Sequence, residues 1–183
     1  MRPTFFFAIC AFTCLCLIGA AQSVNAQLIH EGSQFPGVAV SVNFNEGEDL
    51  PIGVNYEYFV KREFAIGGIF RYWTYTEWQD PNSAGKYVVS SYLIGAQGNY
   101  HFKVPQREFD PFMGVVLGYR AYTAGYQNEP TEQNQALSQP SNLVFAIQAG
   151  ARYFLSDQIG LEARLLFGSG SFTVFEVGAD FAL

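Results

Sequence analysis

The amino-acid sequence predicts an all-β fold, an eight-stranded antiparallel up-and-down transmembrane β-barrel over residues 36–183, preceded by a cleaved signal peptide. Three observations predict this fold. Apolar residues recur at every second position, which is the period of a strand and not of a helix. Eight such segments are separated by connectors rich in turn-forming residues. Charged residues within the segments all fall on one of the two phases, which suits a barrel that meets lipid outside.

The N-terminal segment, residues 1–26, has the composition of a signal peptide. Arg2 supplies a positive start, residues 4–21 are apolar, and Ala26 ends a small-residue cleavage site. An uncleaved membrane anchor is the alternative, but no basic residue directly follows the apolar stretch, which favours cleavage. Residues 27–35 then form a lead-in to the barrel.

Cysteine usage and net charge exclude several classes of function. All three cysteines lie in the N-terminal segment, so the mature chain has no disulfide, no thiol catalysis and no thiolate metal site. Without Arg2, nine Lys and Arg stand against sixteen Asp and Glu, a net charge of 9 − 16 = −7. No basic stretch is longer than Lys61–Arg62, so no nucleic-acid partner is expected.

The first four segments are predicted as strands because aromatic and β-branched residues alternate with small or polar ones. Connectors with turn chemistry follow them at 45–49, 61–63 and 80–85, and a further one covers 103–110. The apolar phases consist of Val38, Val40, Val42 and Phe44, then Val54, Tyr56, Tyr58 and Val60, then Ile66, Gly68, Phe70 and Tyr72, then Tyr92, Ile94, Ala96, Gly98, Tyr100 and Phe102.

The last four segments repeat the pattern. Their connectors are predicted at 127–142, 156–158 and 168–171, and an even number of regularly spaced strands suits a closed antiparallel barrel. The apolar phases consist of Met113, Val115, Leu117 and Tyr119, then Phe145, Ile147, Ala149, Ala151 and Tyr153, then Leu161, Ala163, Leu165 and Phe167, then Phe175, Val177, Ala179, Phe181 and Leu183.

The other phase carries every charge within the predicted strands, and we expect it to face the lumen. A lipid-facing Lys or Arg at mid-bilayer would cost about 2–4 kcal/mol, so the outer wall should be free of charge. A soluble barrel has the opposite arrangement, which makes a secreted ligand-binding barrel the less favoured alternative. The predicted structural ion-pair network of the lumen consists of Glu57, Arg71, Arg120, Arg152, Glu162, Arg164, Glu176 and Asp180.

Glycines are frequent on the same inward phase. An eight-stranded barrel has a lumen that side chains fill, and glycine leaves room there for long Arg and Glu side chains. Opposite charges in so narrow a space have to neutralise one another. We therefore expect a plug of ion pairs, with a transport gate or a ligand site as the alternative.

The C-terminus has a polar residue, a glycine two positions on, and hydrophobic residues at the antepenultimate and final positions: Glu176, Gly178, Phe181 and Leu183. This pattern resembles the C-terminal assembly signal of outer-membrane barrels, although those more often end in Phe. Residues 110–119 and 150–164 resemble strands of the same group. The chain is thus similar to the small outer-membrane β-barrel family, the OmpA-like and OmpX-like eight-stranded porin-superfamily barrels.

The resemblance implies a location in the outer membrane of a Gram-negative bacterium, with both termini and the 27–35 lead-in in the periplasm. Its implied partners are outer-membrane lipid and, during insertion, the barrel-assembly machinery. The 127–142 connector would be a surface loop and a candidate to bind a surface ligand. An aromatic girdle is expected on the outer wall near the periplasmic rim, made of Tyr58, Phe64, Tyr100, Phe102, Tyr153 and Phe181.

Candidate catalytic and metal-ligating residues are few. Some relatives are lipid-modifying enzymes with a His near the outer leaflet, but His30 and His101 are predicted at the periplasmic side. The two histidines lack metal-ligand spacing, and the acidic residues at 46–49 (Glu46, Glu48 and Asp49) lack the spacing of a calcium loop. We therefore expect no metal and no cofactor. The predicted role is structural or surface-interacting, and not catalytic. A narrow channel for small or apolar solutes is the first alternative, and a lipid-modifying enzyme is the second.

Overall fold

The computed structural model describes residues 29–43, 50–78, 86–127, 142–169 and 173–183. These residues form eight strands: β1 Gln34–Asn43, β2 Ile52–Lys61, β3 Phe64–Trp78, β4 Lys86–His101, β5 Phe109–Gln127, β6 Asn142–Phe154, β7 Ile159–Gly168 and β8 Thr173–Phe181. They include no helix long and apolar enough to cross a membrane. The predicted signal peptide, the acidic residues at 46–49 and most of the 127–142 connector lie outside the described residues.

The strands close into a barrel. Each strand pairs antiparallel with the next along the chain, and β1 pairs antiparallel with β8 through partners such as Ala39 and Gly178. A closed sheet has no edge strand over the length that its strands share, whereas β3 beyond Tyr72 and β5 beyond Arg120 pair only with β4. The predicted fold class, an eight-stranded antiparallel up-and-down barrel, is confirmed.

The ends of the barrel differ in their connections. We call the end that carries residues 62–63, 102–108 and 155–158, where β8 also finishes, the turn end. The opposite end, reached by the other connectors, is called the loop end.

Two strands begin earlier than the sequence predicts: β1 starts at Gln34, within the predicted 27–35 lead-in, and β5 starts at Phe109. The sequence indicates a connector over 103–110, but β5 already begins within that range. Pro111 lacks an N–H donor, yet it pairs with Ala151, and its carbonyl accepts the N–H of Phe102 at 2.8 Å. The hydrogen-bond ladder therefore continues past the proline, and Asp110 becomes a buried strand residue.

The two phases of each strand differ in exposure as predicted. In β5, Val115 and Leu117 are 48% and 61% exposed, whereas Val116 between them is 1% exposed. The same alternation runs along β2, β6, β7 and β8. Apolar side chains cover the outer wall and charged side chains point inward, which is the reverse of a soluble barrel.

The interior is layered. Near the turn end, the rings of Phe35, Phe59 and Phe154 pack with Ala65 in a cluster that we call the aromatic plug. Charged side chains occupy the middle. Toward the loop end lies a second apolar cluster, made of Ile69, Trp73, Leu93, Val116, Val144, Ala146, Leu166 and Val174. The expected plug of ion pairs is thus flanked by apolar layers, because the inward positions nearer the ends carry rings and aliphatic chains.

Candidate functional site

A buried cluster of charged side chains, centred on Arg152 of β6, fills the middle of the lumen. Arg152 Nε donates to Asp180 Oδ2 at 2.7 Å, and Nη2 donates to Glu57 Oε2 at 2.6 Å. Nη2 also reaches Glu162 Oε2 at 3.2 Å, and Nη1 reaches Asp110 Oδ2 at 3.3 Å. One fully buried guanidinium therefore joins carboxylates from β2, β5, β7 and β8.

A second ion pair lies on the loop-end side of Arg152. Arg71 of β3 binds Glu176 of β8 in a fork, with Nε at 2.6 Å from Oε1 and Nη2 at 2.7 Å from Oε2. Its Nη1 donates to the carbonyl oxygens of Val54 and Phe70. All the donor nitrogens of this guanidinium have acceptors, which is the condition under which a buried ion pair is tolerated.

Arg164 of β7 connects the two groups. Its Nε lies 2.8 Å from Glu162 Oε1 and 2.9 Å from Glu176 Oε2, which are ion-pair distances, but neither contact has hydrogen-bond geometry. Its Nη1 donates to Gln97 Oε1 at 3.1 Å, whereas Nη2 has no partner among the described residues. Arg164 is thus less completely satisfied than Arg152 or Arg71.

Side-chain amides complete the network. Asn55 Nδ2 donates to Asp180 Oδ1 at 2.8 Å, and Asn99 donates to Glu57. Gln148 Nε2 donates to Asn99 Oδ1 at 2.6 Å. Asn55 and Asn99 thus supply hydrogen bonds to carboxylate oxygens, whereas Gln148 donates to the amide oxygen of Asn99.

His101 of β4 lies at the turn-end side of the cluster. Its Nδ1 is 2.9 Å from both carboxylate oxygens of Asp110, and its Nε2 lies 4.0 Å from Glu57 Oε1. The ring packs on Phe59 and Phe112, at centroid distances of 4.6 and 5.3 Å. The sequence places this histidine at the end of its strand with an inward phase, and in the structure it is the last residue of β4 and is buried.

Arg120, which the sequence assigns to the same network, sits nearer the loop end. Its Nε donates to Ser91 Oγ at 3.3 Å. Its guanidinium carbon lies 4.6 Å from the centroid of the Trp73 ring and 4.5 Å from that of Tyr122. Arg120 lies on the same inward face as Arg152. It is separated from the cluster around Arg152 because it lies nearer the loop end along the barrel axis.

The cluster brings together seven of the eight predicted residues, and Asp110 joins them. Three guanidinium groups therefore face five carboxylates, where the sequence predicted four of each. Asp110 could have been found by extending the inward phase of β5 from Phe112 back by two residues. Asp110 is not recognised as a strand residue from the sequence, because it ends a charged stretch before Pro111 and such stretches usually form turns.

The aromatic plug covers the cluster on the turn-end side. The Phe35 ring lies 5.5 Å from Phe59 and 5.9 Å from Phe154, and the guanidinium carbon of Arg152 lies 4.6 Å above Phe35. Phe35 was missed because the alternation was read from Val38, although Phe35 shares the phase of the inward Ala39. Within the described residues, clusters of buried rings and aliphatic side chains lie on both sides of the charges.

Two inward glycines make room for the arginines. A Cβ on Gly160 would lie 2.8 Å from Cγ of Arg152, and a Cβ on Gly150 would lie 2.7 Å from Cβ of Arg164. Both distances are shorter than carbon atoms tolerate. The expected link between lumen glycines and long charged side chains therefore has a direct steric basis.

The six aromatics expected in a girdle all point outward near the turn end. Three of them form a continuous edge-to-face row, with the Tyr100 ring 5.0 Å from Phe64 and 5.1 Å from Phe102. Aromatic rings with one polar edge favour the interface between lipid and water. The row marks a candidate membrane boundary on β3 and β4.

Comparison with known proteins adds fold similarity at low sequence identity. No family model and no curated protein matches the chain. The N-terminal barrel domain of Pseudomonas aeruginosa OprF superposes with a TM-score of 0.58 at 17% identity, covering 84% of this chain and 98% of that one. OprG from the same organism gives 0.58 at 10% identity, with 88% and 99% covered.

A third similar structure is Ail, the attachment invasion locus protein of Yersinia pestis. It superposes with a TM-score of 0.56 at 13% identity, covering 84% of this chain and 99% of that one. Because the identities are low, these similarities concern the fold alone. The chain has the fold of the small eight-stranded outer-membrane barrels.

Proposed function

We propose that this protein is an integral outer-membrane β-barrel with a closed, ion-paired lumen, and that its role is structural or surface-interacting rather than catalytic. The observation that carries this proposal is the inverted alternation of the strands. Arg152 is fully buried inside, while Leu117 and Ile147 are more than half exposed outside. Such a wall is unfavourable in water and favourable in lipid.

The connectors support an orientation with the turn end in the periplasm. The turn end carries the two-residue 62–63 connector and the short 155–158 connector, whereas the longest connector, 128–141, belongs to the loop end. Outer-membrane barrels have short periplasmic turns and longer extracellular loops. Surface interaction is therefore assigned to the loop end, with the 127–142 connector as its largest element.

The C-terminal strand supports a role for the assembly signal. Glu176 and Gly178 face inward, whereas Phe181 and Leu183 are exposed on the outer wall next to the seam between β8 and β1. An outward Phe181 and Leu183 are accessible to the barrel-assembly machinery before the seam closes. We propose that these four residues form that signal.

Neither alternative function is favoured by the lumen. A channel needs a continuous path, and the aromatic plug and the second apolar cluster interrupt it among the described residues. A lipid-modifying enzyme needs a catalytic group open to the outer leaflet, and His101 is 3% exposed beside the plug. We therefore expect no reproducible conductance steps in a planar bilayer, and regular single-channel steps would contradict the closed lumen.

Fractionation and surface proteolysis test the location and the orientation together. After expression in a Gram-negative host, the protein is expected in the outer-membrane fraction, and recovery from the soluble periplasm would contradict the proposal. A glutamate-specific protease added to intact cells should cleave after Glu132, which Gln133 follows, but not after Glu108 of the turn end. Cleavage after Glu108 with protection of the 128–141 connector would reverse the orientation.

A further inference from the structure

Four basic residues gather at one side of the turn end. Lys61 and Arg62 lie at the β2–β3 turn, and Lys103 and Arg107 lie in the connection between β4 and β5. The two connections are neighbours, because the N–H of His101 donates to the carbonyl of Glu63 at 2.8 Å. We call the four basic residues the basic rim patch.

Charge at the turn end is unevenly distributed. The basic rim patch and the two acidic residues beside it, Glu63 and Glu108, leave an excess of positive charge on the β2–β5 side. Among the described residues, the remaining charged side chains of the turn end are acidic: Glu31 and Asp157. An anion that approaches the turn end would therefore be attracted to the β2–β5 side.

Most of the patch is available to a ligand. Lys103 forms an ion pair with Glu63, yet its side chain is still 65% exposed. Lys61, Arg62 and Arg107 are exposed and have no ion pair with any described residue. These three cations thus lack a direct ion-pair partner among the described residues, although the charge of Arg62 also helps to lower the pKa of the Glu63 carboxyl.

The patch adjoins the lipid-facing wall. Phe64 follows Arg62 by two residues, and Phe102 directly precedes Lys103, and both rings belong to the outward row around Tyr100. Basic side chains next to interfacial aromatics fit a phospholipid, whose acyl chains contact rings while its headgroup phosphate accepts hydrogen bonds.

We propose that the basic rim patch and the Phe64, Tyr100 and Phe102 row together bind an anionic phospholipid of the leaflet that meets the turn end. Lys61 and Arg62 donate to the headgroup phosphate, Lys103 borders it, and the aromatic row contacts the acyl chains. This site rests on the proposed function, because it requires the outer wall to face lipid. It goes beyond that function in naming the lipid class and the position on the wall.

Native mass spectrometry of the exported protein tests the site. The protein is released from nonionic detergent containing equimolar phosphatidylglycerol and phosphatidylcholine, and bound lipids are counted. Phosphatidylglycerol should be retained preferentially, and the Lys61→Gln/Arg62→Gln variant should lose about fivefold in that preference per removed charge. Lys86→Gln, a matched change at the start of β4 near the loop end, should leave it unchanged. Equal retention of both lipids, or full preference in the double variant, would overturn the proposal.

Two further measurements separate the causes of a negative result. Heat-modifiable gel mobility in phosphatidylcholine vesicles reports folding, and the wild type and the double variant should shift alike. Glycerol phosphate, the headgroup fragment without acyl chains, should not compete, and competition at equal concentration would overturn a lipid site in favour of a free-anion site. If the wild type inserts into vesicles but lacks the preference, only this inference fails. If the wild type does not insert, the proposed function fails with it.

Discussion

The two faces of strand β7 differ in burial and in charge. Inside, Glu162 and Arg164 are buried and ion-paired. Outside, Leu165 directly after Arg164 and Phe167 two positions further on are exposed and uncharged. The inner face requires particular residues, because each charge depends on partner side chains from other strands. The outer face requires only apolar residues, because any apolar side chain is compatible with lipid.

This difference determines how each face should respond to mutation. Removing one partner inside leaves a buried charge without compensation, which costs far more than the pair itself contributes. Exchanging one apolar residue for another outside changes little, whereas adding a charge there is costly. The changes below test that contrast from the largest expected effect to the smallest.

Arg152→Met should have the largest effect. It leaves Glu57, Asp180, Glu162 and Asp110 without their shared cation, and the expected loss in the free energy of unfolding is about 3–5 kcal/mol. Urea unfolding in detergent micelles measures it. Arg107→Met, at an exposed position of the rim, is the control and should behave as wild type. An Arg152 variant as stable as that control would refute the structural role of the cluster.

Leu117→Arg tests the outer face. Leu117 is 61% exposed near the middle of β5, so a charge there would sit in the apolar part of the bilayer at a cost of about 2–4 kcal/mol. The yield of folded barrel in vesicles should fall accordingly, while Leu117→Ile should fold normally. If the arginine variant inserts as well as the isoleucine variant, this wall does not face lipid.

Arg164→Leu should cost less than Arg152→Met. Glu162 keeps Arg152, Glu176 keeps Arg71, and two nitrogens of Arg164 make no hydrogen bond among the described residues. The expected loss is about 1–3 kcal/mol, seen as a lower temperature of the heat-induced gel shift. An unchanged shift temperature would remove Arg164 from the stabilising network, and a loss equal to that of Arg152→Met would contradict the ranking.

Lys103→Gln should have the smallest effect. The Lys103 ammonium hydrogen-bonds Glu63 at the exposed rim and lowers the pKa of that carboxyl below its ordinary value. A lowered pKa stabilises the fold above the unfolded pKa of the carboxyl and loses that contribution as pH falls through the folded pKa. Because the pair is exposed, the gel-shift temperature should not change at pH 7. NMR titration should find the Glu63 pKa raised toward its ordinary value, and an unchanged pKa would contradict the pairing.

Strand phase could be predicted from the sequence because it depends on local alternation. Leu165 is apolar and Arg164 is charged. Because a charge in lipid is costly, the sequence predicts that Arg164 faces the lumen and Leu165 faces lipid. Strand number and closure followed in the same way from repetition of the pattern.

The partners inside the lumen could not be predicted, because they depend on how far each strand is shifted relative to its neighbours. Phase places Arg120 and Arg152 on one face but does not give their heights, so their separation was not foreseen. Asp110 and Phe35 were missed at strand ends, where a proline and a late start of alternation obscure the phase.

Cysteine scanning across two neighbouring strands tests the lipid-facing wall most directly, since residues 27–183 contain no cysteine. Spin labels are placed singly on the protein in vesicles at Val115, Val116, Leu117, Phe145, Ala146 and Ile147. Labels at the four outward positions should collide with lipid-dissolved oxygen, and labels at Val116 and Ala146 should be shielded from oxygen and from a water-soluble relaxant. Accessibility of the outward positions to the water-soluble relaxant, or the absence of a two-residue period, would contradict a barrel that faces lipid outside and carries its charges within.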